Sequence, residues 1–474
     1  MRGFSEDGGS AVASHISSPG QLSVIVDAST GLATVWFVDR DSQRVRRVSA
    51  EGVITTVAGG GASDGGPALA AQLTTPEPLT VTTSATSDSF RVYIGDTLNN
   101  RVRVVDEQGV ISAYAGTGRR FSTLSNVPAI EADVWGVKAI AAWRNVSSGK
   151  DVVWIAESSS FRVRQIGEDG IIREFAGTGV TGDAGDGGPA LAAQVGEPCA
   201  VAAIYNTTSA GFVVYIAQTF PTCVRVVNEA GIIQHVTGVP EDGNAAGASN
   251  PLSVMLNTPS SMAAWFNASN SKALLWIADS DRYRILYVDA EGVIRIAAGN
   301  GQNTNTGDGG LAPNAAVSAP AGIAVVANPS TNKFTLFITA RSDHRVRMVD
   351  EAGIMLTLYR TAGGIASADA SMSVASLSAP TGIAAWLPVG SIVARVLVAD
   401  TGNHRVCMIT TPLPSATPSI TSSPSGTASV SPTRSASSSV SSTPTPSPTG
   451  SHTPTSSPSP SQAPQFWVQL FVRV

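Results

Sequence analysis

One stretch decides the fold of this chain: Val92-Tyr93-Ile94-Gly95-Asp96-Thr97-Leu98-Asn99-Asn100-Arg101-Val102-Arg103. Two short β-branched runs flank a polar turn, which is typical of a hairpin. The same cassette recurs along the chain, and its acidic position is held in turn by Asp39, Asp96, Glu157, Gln218, Asp279, Ala340 and Asp400. Positions 157, 218, 279 and 340 are each 61 residues apart. Such a period predicts one supersecondary unit copied in tandem.

Each repeat is longer than the cassette. A Gly-rich turn such as Asp186-Gly187-Gly188-Pro189 opens it, and a small apolar run such as 320–325 follows. The repeat closes with a strand-like run such as 52–59. Gly, Asn, Asp and Pro bound these segments, as they bound strands and tight turns, and no stretch has a sustained helical period. The pattern predicts an all-β fold, a β-propeller of four-stranded blades.

The count of segments sets the number of blades. The inner strand and the cassette occur seven times, whereas the closing strand begins only six times, at Gly52, Gly109, Gly170, Gly231, Gly292 and Gly353. We therefore predict a propeller of seven blades over residues 1–411, with no outermost strand in the last blade unless another segment supplies it. A six-bladed ring with a spare unit is the alternative.

These motifs resemble those of NHL-repeat propellers, including the teneurin and bacterial types. The resemblance is carried by the Asp-Gly-Gly-Pro-Ala turn, by the Asp-x-x-x-x-Arg-Val-Arg cassette and by the Gly-Val-Ile-x-x-x-Ala-Gly strand. It covers about residues 6–410 and implies a propeller fold. Members of the family mostly bind other molecules, and one fold hosts many activities, so the resemblance implies recognition without naming a ligand.

The composition changes after Thr411. Residues 412–465 are mostly Ser, Thr and Pro, with Arg434 and His452 as the titratable side chains. Such a segment buries too little apolar surface to fold, so we expect a disordered linker or a glycosylated stalk. Residues 466–474 alternate as a strand does, and we interpret them as a short stub in preference to a returning strand of blade seven.

Charge and hydropathy exclude several classes of function. The net charge is −5, and Lys and Arg are scattered along the repeats, so no nucleic-acid footprint is expected. No run of eighteen or more apolar residues is present, so no transmembrane segment is expected in this chain. Four hundred residues of propeller bury enough apolar surface for a stable monomer. We expect no cofactor.

The acid and the arginine five residues later in each cassette face each other across the turn. We predict that they form structural pairs, because a charge-assisted hydrogen bond would fix the turn. In blade four both charges are lost together, at Gln218 and Cys223, which favours this role over catalysis. The predicted pairs are Asp39–Arg44, Asp96–Arg101, Glu157–Arg162, Asp279–Arg284 and Asp400–Arg405.

Three Asn-x-Ser/Thr triplets, at Asn145, Asn206 and Asn267, are also 61 residues apart. They fall between the first and second strands of blades three to five, on the face opposite the Asp-Gly-Gly and Asp-x-x-Asn loops. We predict N-glycosylation there, which with the stalk indicates an extracellular or cell-surface protein. The polar start of the chain is not a signal peptide, so a secreted protein would need further upstream sequence.

No catalytic constellation and no metal site are readable from the sequence. The turn at 181–188 lacks the closing acid of a calcium loop, and His344 and His404 have no third ligand nearby. The residue type varies between blades at the position just before each inner strand. We place Glu77, Trp135, Glu197, Ser260, Ala321 and Thr381 at this position in successive blades.

We predict that Glu77, Trp135 and Glu197 ring the channel mouth and bind a ligand. The function predicted is non-catalytic recognition of a protein or glycan. The alternative is a metal-dependent propeller hydrolase or lyase.

Overall fold

The computed structural model describes residues 7–27, 30–60, 67–83, 90–106, 108–121, 124–237, 255–267, 272–289, 292–328, 331, 333–359, 376–388 and 391–413. These residues form seven antiparallel sheets, which are the blades of a β-propeller. The prediction of an all-β, seven-bladed fold is therefore confirmed, and the six-bladed alternative is wrong. Of the expected linker 412–465, Pro412 ends the last strand and Leu413 is buried, whereas residues 414–465 and the terminal stub lie outside the described residues.

The two inner strands of every blade come from the apolar run and from the first half of the cassette. The first strands are Pro19–Val26, Pro76–Thr83, Val137–Asn145, Pro198–Asn206, Pro259–Asn267, Pro320–Asn328 and Pro380–Trp386. The second strands are Ala33–Asp39, Phe90–Asp96, Lys150–Glu157, Gly211–Thr219, Lys272–Asp279, Lys333–Ala340 and Val393–Asp400.

The outer strands come from the second half of the cassette and from the closing run. The third strands are Arg44–Val48, Arg101–Val105, Arg162–Ile166, Thr222–Val227, Arg284–Val288, Arg345–Val349 and Arg405–Pro412. The fourth strands are Ile54–Ala58, Ile111–Ala115, Ile171–Ala176, Ile233–Thr237, Ile294–Ala298 and Met355–Tyr359. Within the described residues blade seven has three strands, as the count of closing runs predicts.

Helical structure is limited, in the described part of the chain, to three-residue 3-10 turns such as Ala190–Ala192. None of the helices described there is long or apolar enough to cross a membrane.

Aromatic side chains fill the spaces between blades. Trp154 of blade three is fully buried, and its ring lies 4.7 Å from that of Phe212 in blade four and 6.2 Å from that of Phe175. Trp143 stacks on Tyr205 at 4.3 Å across the same boundary. Burying a large apolar side chain contributes about 1.5–3 kcal/mol, so these contacts fix one blade against the next.

A buried polar cluster joins blades two and three. The Asp151 carboxylate, 1% exposed, accepts hydrogen bonds from the Tyr93 hydroxyl at 2.8 Å and from Arg91 Nη1 at 2.9 Å. Arg144 Nη1 lies 3.5 Å from the same oxygen. Burial raises the pKa of Tyr93 and of its neighbour Tyr114 well above the usual range, so both phenols stay neutral. One carboxylate therefore holds three donors from two blades.

Non-covalent contacts between blades seven and one close the ring. Thr401 Oγ1 donates to the carbonyl of Pro19 at 2.7 Å, and the Ser18 amide donates to His404 Nδ1 at 3.0 Å. Gly382 passes so close to blade one that a Cβ atom there would lie 2.5 Å from the carbonyl oxygen of Gly20. Since that contact is with backbone, only glycine fits at this closure.

The Asp-Gly-Gly turns lie along the outer edges of the blades, which corrects their expected place beside the Asp-x-x-Asn loops. In blade four the Gly187 amide donates to Ile233 and the Ile233 amide donates to Gly188, at 2.9 and 3.0 Å. Pro189 pairs with Ile232 in the same way, and in blade three Val127–Pro128 forms a short fifth strand. These segments cover outer strands that would otherwise expose unpaired backbone groups.

Candidate functional site

The two faces of the ring follow from strand direction. The upper face is the one that carries the turns between second and third strands, such as Thr97–Asn99. The segments that enter each blade also end on this face. The lower face carries the turns between first and second strands and those between third and fourth strands. Glu77, Trp135 and Glu197 all lie at or just before the upper ends of first strands.

The structure shows that these three residues do not occupy equivalent positions. Strand register aligns Pro19, Pro76, Val137, Pro198, Pro259, Pro320 and Pro380, each opposite the last residue of a second strand or its neighbour. Glu77 follows its aligned residue, whereas Glu197 precedes it by one position and Trp135 by two. The set of residues assigned from the sequence to the position before each inner strand therefore needs correction. The residues after the aligned position are Gly20, Glu77, Lys138, Cys199, Ser260, Ala321 and Thr381.

This corrected series lies at a β-bulge, and much of it serves contacts between blades. Ser260 Oγ donates to the Pro320 carbonyl of the next blade at 2.8 Å. Thr339 Oγ1 donates to the Thr381 carbonyl at 2.8 Å. In blades two and three the series is accessible, and Lys138 Nζ forms an ion pair with Glu77 Oε2 at 2.9 Å. Lys138 is thus the partner of a predicted site residue, which the misaligned series concealed.

The surroundings of Trp135 are aromatic. Trp135 is half-buried, and its ring centroid lies 5.5 Å from that of Phe121, which is 67% exposed. The backbone amide of Trp135 donates to Glu157 Oε2 at 3.2 Å. Phe121 has a φ of +97°, a conformation that L residues with a side chain rarely adopt, so the loop holds this ring outward at a cost in strain.

A second pair of exposed apolar residues lies on the same face. The turn residue two positions after the cassette acid is, in blade order, Asp41, Leu98, Ser159, Phe220, Asp281, Ser342 and Gly402. Leu98 and Phe220 are 63% and 66% exposed, although five of the seven blades place a small or polar residue there. Thr181 Oγ1 donates to the Phe220 carbonyl at 3.3 Å, which brings the exposed Val180 close to this turn.

These residues belong to three consecutive blades. We call the set Leu98, Phe121, Trp135, Val180 and Phe220 the apolar arc. Glu197 lies beside it, where Thr219 Oγ1 donates to Glu197 Oε2 at 3.3 Å. The structure therefore places two of the predicted site residues, Trp135 and Glu197, in or beside the arc, and Glu77 in an ion pair nearby. Sequence reasoning missed Leu98 and Phe220, although comparing turns between repeats would have found them.

The predicted turn pairs need partial correction. Asp279 and Arg284 approach to 2.9 Å, and Asp400 and Arg405 approach to 2.6 Å, as expected. In blades two and three the partner is instead the second arginine of Arg-Val-Arg. Asp96 pairs with Arg103 at 3.0 Å and Glu157 with Arg164 at 3.4 Å, not with Arg101 and Arg162. In blade one, where Arg44 was expected, Asp39 lies 3.8 Å from Arg46.

The reason lies in the third strand. The second arginine points into the blade and is fully buried at Arg46, Arg164, Arg225 and Arg347. Blades five and seven carry Leu286 and Cys407 at that position, so there the first arginine turns to the acid. Burial raises the pKa of Asp96, Glu157 and Asp279, and it raises that of Asp39 to about 6. Each of these carboxylates is buried beside an arginine of its own blade.

The Asp-Gly-Gly turns supply an acid to three of the buried arginines. Arg46 lies 3.1 Å from Asp7, Arg225 lies 2.5 Å from Asp186, and Arg347 lies 2.8 Å from Asp308. In blade four Asp186 also contacts His235, whose Nε2 lies 3.5 Å from Asp183. In the turn at 181–188, the carboxylates of Asp183 and Asp186 thus face the side chains of Arg225 and His235. Among the described residues no group of His, Cys, Asp and Glu is placed to hold a metal ion.

The remaining reactive side chains have structural partners. His344 Nδ1 accepts the Ala379 amide at 2.8 Å, so both turn histidines bridge to the next blade. All three cysteines are free thiols. Burial raises the pKa of Cys407 to about 11 and that of Cys223 further, which disfavours the reactive thiolate.

The lower face carries the Asn-x-Ser/Thr triplets. Asn145 Nδ2 donates to Glu168 and Asn206 Nδ2 donates to Glu229, each at 2.8 Å. The side chain of Asn267 lies outside the described residues. Asn328, at the same repeat position, donates to Glu351 at 2.5 Å although Pro329 follows it and excludes glycosylation. A structural role in joining two turns therefore explains the regular spacing by itself.

No protein-family model matches the chain, and no curated protein matches it. Virginiamycin B lyase from Staphylococcus aureus is 15% identical with a TM-score of 0.45, covering 83% of this chain and 95% of that one. A streptogramin B lyase is 11% identical with a TM-score of 0.48, covering 86% and 97%. An auxiliary nutrient binding protein from Bacteroides thetaiotaomicron is 13% identical with a TM-score of 0.42, covering 86% and 72%. These similarities concern the fold and say nothing of this chain's activity, ligand or location.

Proposed function

We propose that this chain is a non-catalytic recognition propeller of the NHL-repeat type that binds a protein partner through the apolar arc. The observation that carries the proposal is the exposure of Leu98, Phe121 and Phe220, together with the half-buried Trp135, on the upper face of blades two to four. Exposed large apolar groups clustered on one face are typical of interaction sites. Binding energy concentrates in such anchors, and aromatic anchors above all.

A protein fits this surface better than a glycan does. Phe121 and Trp135 meet at an interplanar angle of 54°, so they form a wedge and not a flat platform for a sugar ring. Leu98 and Val180 add aliphatic surface, which a protein partner can bury. The polar groups of the bulge series, such as Ser260, already hold carbonyls of neighbouring blades. This supports a binding role over chemistry at the channel mouth.

The test uses substitutions that copy other blades. Leu98→Asp reproduces the residue of blades one and five, and Phe220→Ser reproduces that of blades three and six, so both variants should fold. Arrayed extracellular proteins and glycans are screened with the whole chain, and each hit is measured by calorimetry. Losing one anchor is expected to cost about 2 kcal/mol, roughly thirtyfold in Kd.

Controls remove equal apolar surface elsewhere. Leu69 and Leu191, 53% and 57% exposed, lie in 3-10 turns at the outer edge. Leu69→Ser and Leu191→Ser are expected to leave the Kd unchanged. Hits that tolerate the Leu98 and Phe220 substitutions, or that are glycans alone, contradict the proposal.

The location of the protein is also a proposal. We infer that the protein is extracellular or on the cell surface and acts as a monomer. We also infer that Asn145, Asn206 and Asn267 of the lower face carry glycans. The chain is expressed behind a secretory leader and its peptides are weighed by mass spectrometry. Glycan mass is expected on all three, whereas Asn328, which Pro329 follows, is the internal negative control. Secreted protein in which Asn206 is never modified would overturn the inference of glycosylation on the lower face.

A further inference from the structure

The segment 117–121 forms a fixed base at the edge of the apolar arc. Thr117 Oγ1 donates to Asp133, and Arg101 Nη2 donates to the Thr117 carbonyl at 2.6 Å. The Arg119 amide then bonds Thr117 Oγ1 at 3.2 Å. The loop that carries Phe121 is therefore tied to both blade two and the entry of blade three, and it presents its side chains from a defined backbone.

Two cations stand beside the aromatic pair. Arg119 and Arg120 are both exposed, and neither guanidinium forms an ion pair with any residue that the structure describes. They immediately precede Phe121, whose ring meets Trp135. Long cationic side chains next to exposed aromatic rings give a surface that is both positively charged and apolar.

Two other cations near the arc are already paired with acids. Lys138 pairs with Glu77 at 2.9 Å, and Arg162 pairs with Glu174 at 3.1 Å. Two acids border the arc: Asp133, two residues before Trp135, accepts from Thr117 Oγ1, and Glu197 of blade four accepts from Thr219. Arg119 and Arg120 thus add two positive charges beside Phe121 and Trp135, although the whole chain carries −5.

We propose that Arg119, Arg120, Phe121 and Trp135 bind an acidic peptide segment that carries an apolar or aromatic residue. Each guanidinium can donate two parallel hydrogen bonds to a carboxylate, and the wedge of Phe121 and Trp135 receives the apolar side chain. This rests on the proposed function and names the chemistry of its partner. Two arginines supply few phosphate contacts, so nucleic acid is the less favoured occupant.

The test begins with a selection whose probe is defined. A phage-displayed library of random dodecapeptides is selected on the immobilised whole chain, and enriched sequences are synthesised. Peptides with Asp or Glu flanking an aromatic or leucine residue are expected. Their Kd should rise at least tenfold in the Arg119→Glu/Arg120→Glu variant. Binding to the wild-type chain should weaken as the salt concentration increases.

The matched control reverses two charges on the lower face. Lys150 and Lys333 are exposed and begin the second strands of blades three and six. Lys150→Glu/Lys333→Glu is expected to leave the Kd unchanged. A fluorescent single-stranded oligonucleotide is titrated in parallel, and tighter binding of it than of the peptides would assign the surface to nucleic acid and overturn the proposal.

The outcomes separate the two proposals. Enriched peptides without acidic residues, or insensitivity to the Arg119/Arg120 reversal while Leu98→Asp still weakens binding, overturn the acidic-peptide inference alone. Peptides that bind wild type and every upper-face variant equally overturn both. A selection that enriches no sequence overturns the inference as well.

Discussion

Replacing Asp151 by alanine is expected to lower the free energy of unfolding by about 3–5 kcal/mol, because a buried carboxylate is removed from two arginines and a tyrosine. Arg91 and Arg144 would remain at the boundary of blades two and three without their shared acceptor. Thermal unfolding and urea titration of the whole chain measure the loss.

The matched control is Asp169→Ala. Asp169 also pairs with an arginine, Arg173, at 2.5 Å, but the two side chains are 51% and 41% exposed. Water replaces such a surface pair easily, so no measurable change is expected. Equal losses for Asp151→Ala and Asp169→Ala would show that the buried cluster does not hold the two blades together.

The second large effect distinguishes the two arginines of one cassette. Arg164→Ala is expected to cost about 3–5 kcal/mol, because Glu157 is fully buried and loses its cation. Arg162→Ala is expected to cost about 1 kcal/mol or less, since its side chain is 24% exposed and Glu174 is 29% exposed. Chemical unfolding of both variants gives the comparison.

Sequence spacing alone makes the opposite prediction, with Arg162 as the partner of Glu157. A larger loss for Arg162→Ala than for Arg164→Ala would therefore restore the five-residue pairing and contradict the buried one.

The sequence was sufficient for the fold because every blade repeats the same local signals. Turn residues and β-branched runs recur at a constant period, so seven blades and a three-stranded last blade follow from counting. Ion-pair partners were harder to predict, because strand register and burial decide which arginine reaches the acid. Arg103 and Arg101 differ by two positions and lie on the same strand, yet only Arg103 reaches Asp96.

The candidate site was predicted in part. Trp135 was found because it is unusual among the repeats, but its alignment with Glu77 and Glu197 was wrong by one or two positions. The 61-residue period that relates the cassettes leads from Glu77 to Lys138, Cys199 and Ser260, so the spacing itself holds the correct alignment. Phe121 was missed because it lies in a connection whose path depends on tertiary contacts with Trp135.

Hydrogen exchange tests the central claim most directly, with the whole chain measured alone and saturated with a partner or selected peptide. The account predicts slowed exchange in the upper-face segments 97–100, 117–121, 133–136 and 219–222, with no change in the lower turns 145–149 and 206–210. Protection confined to the lower turns, or to the outer edges of the blades, would contradict recognition by the apolar arc.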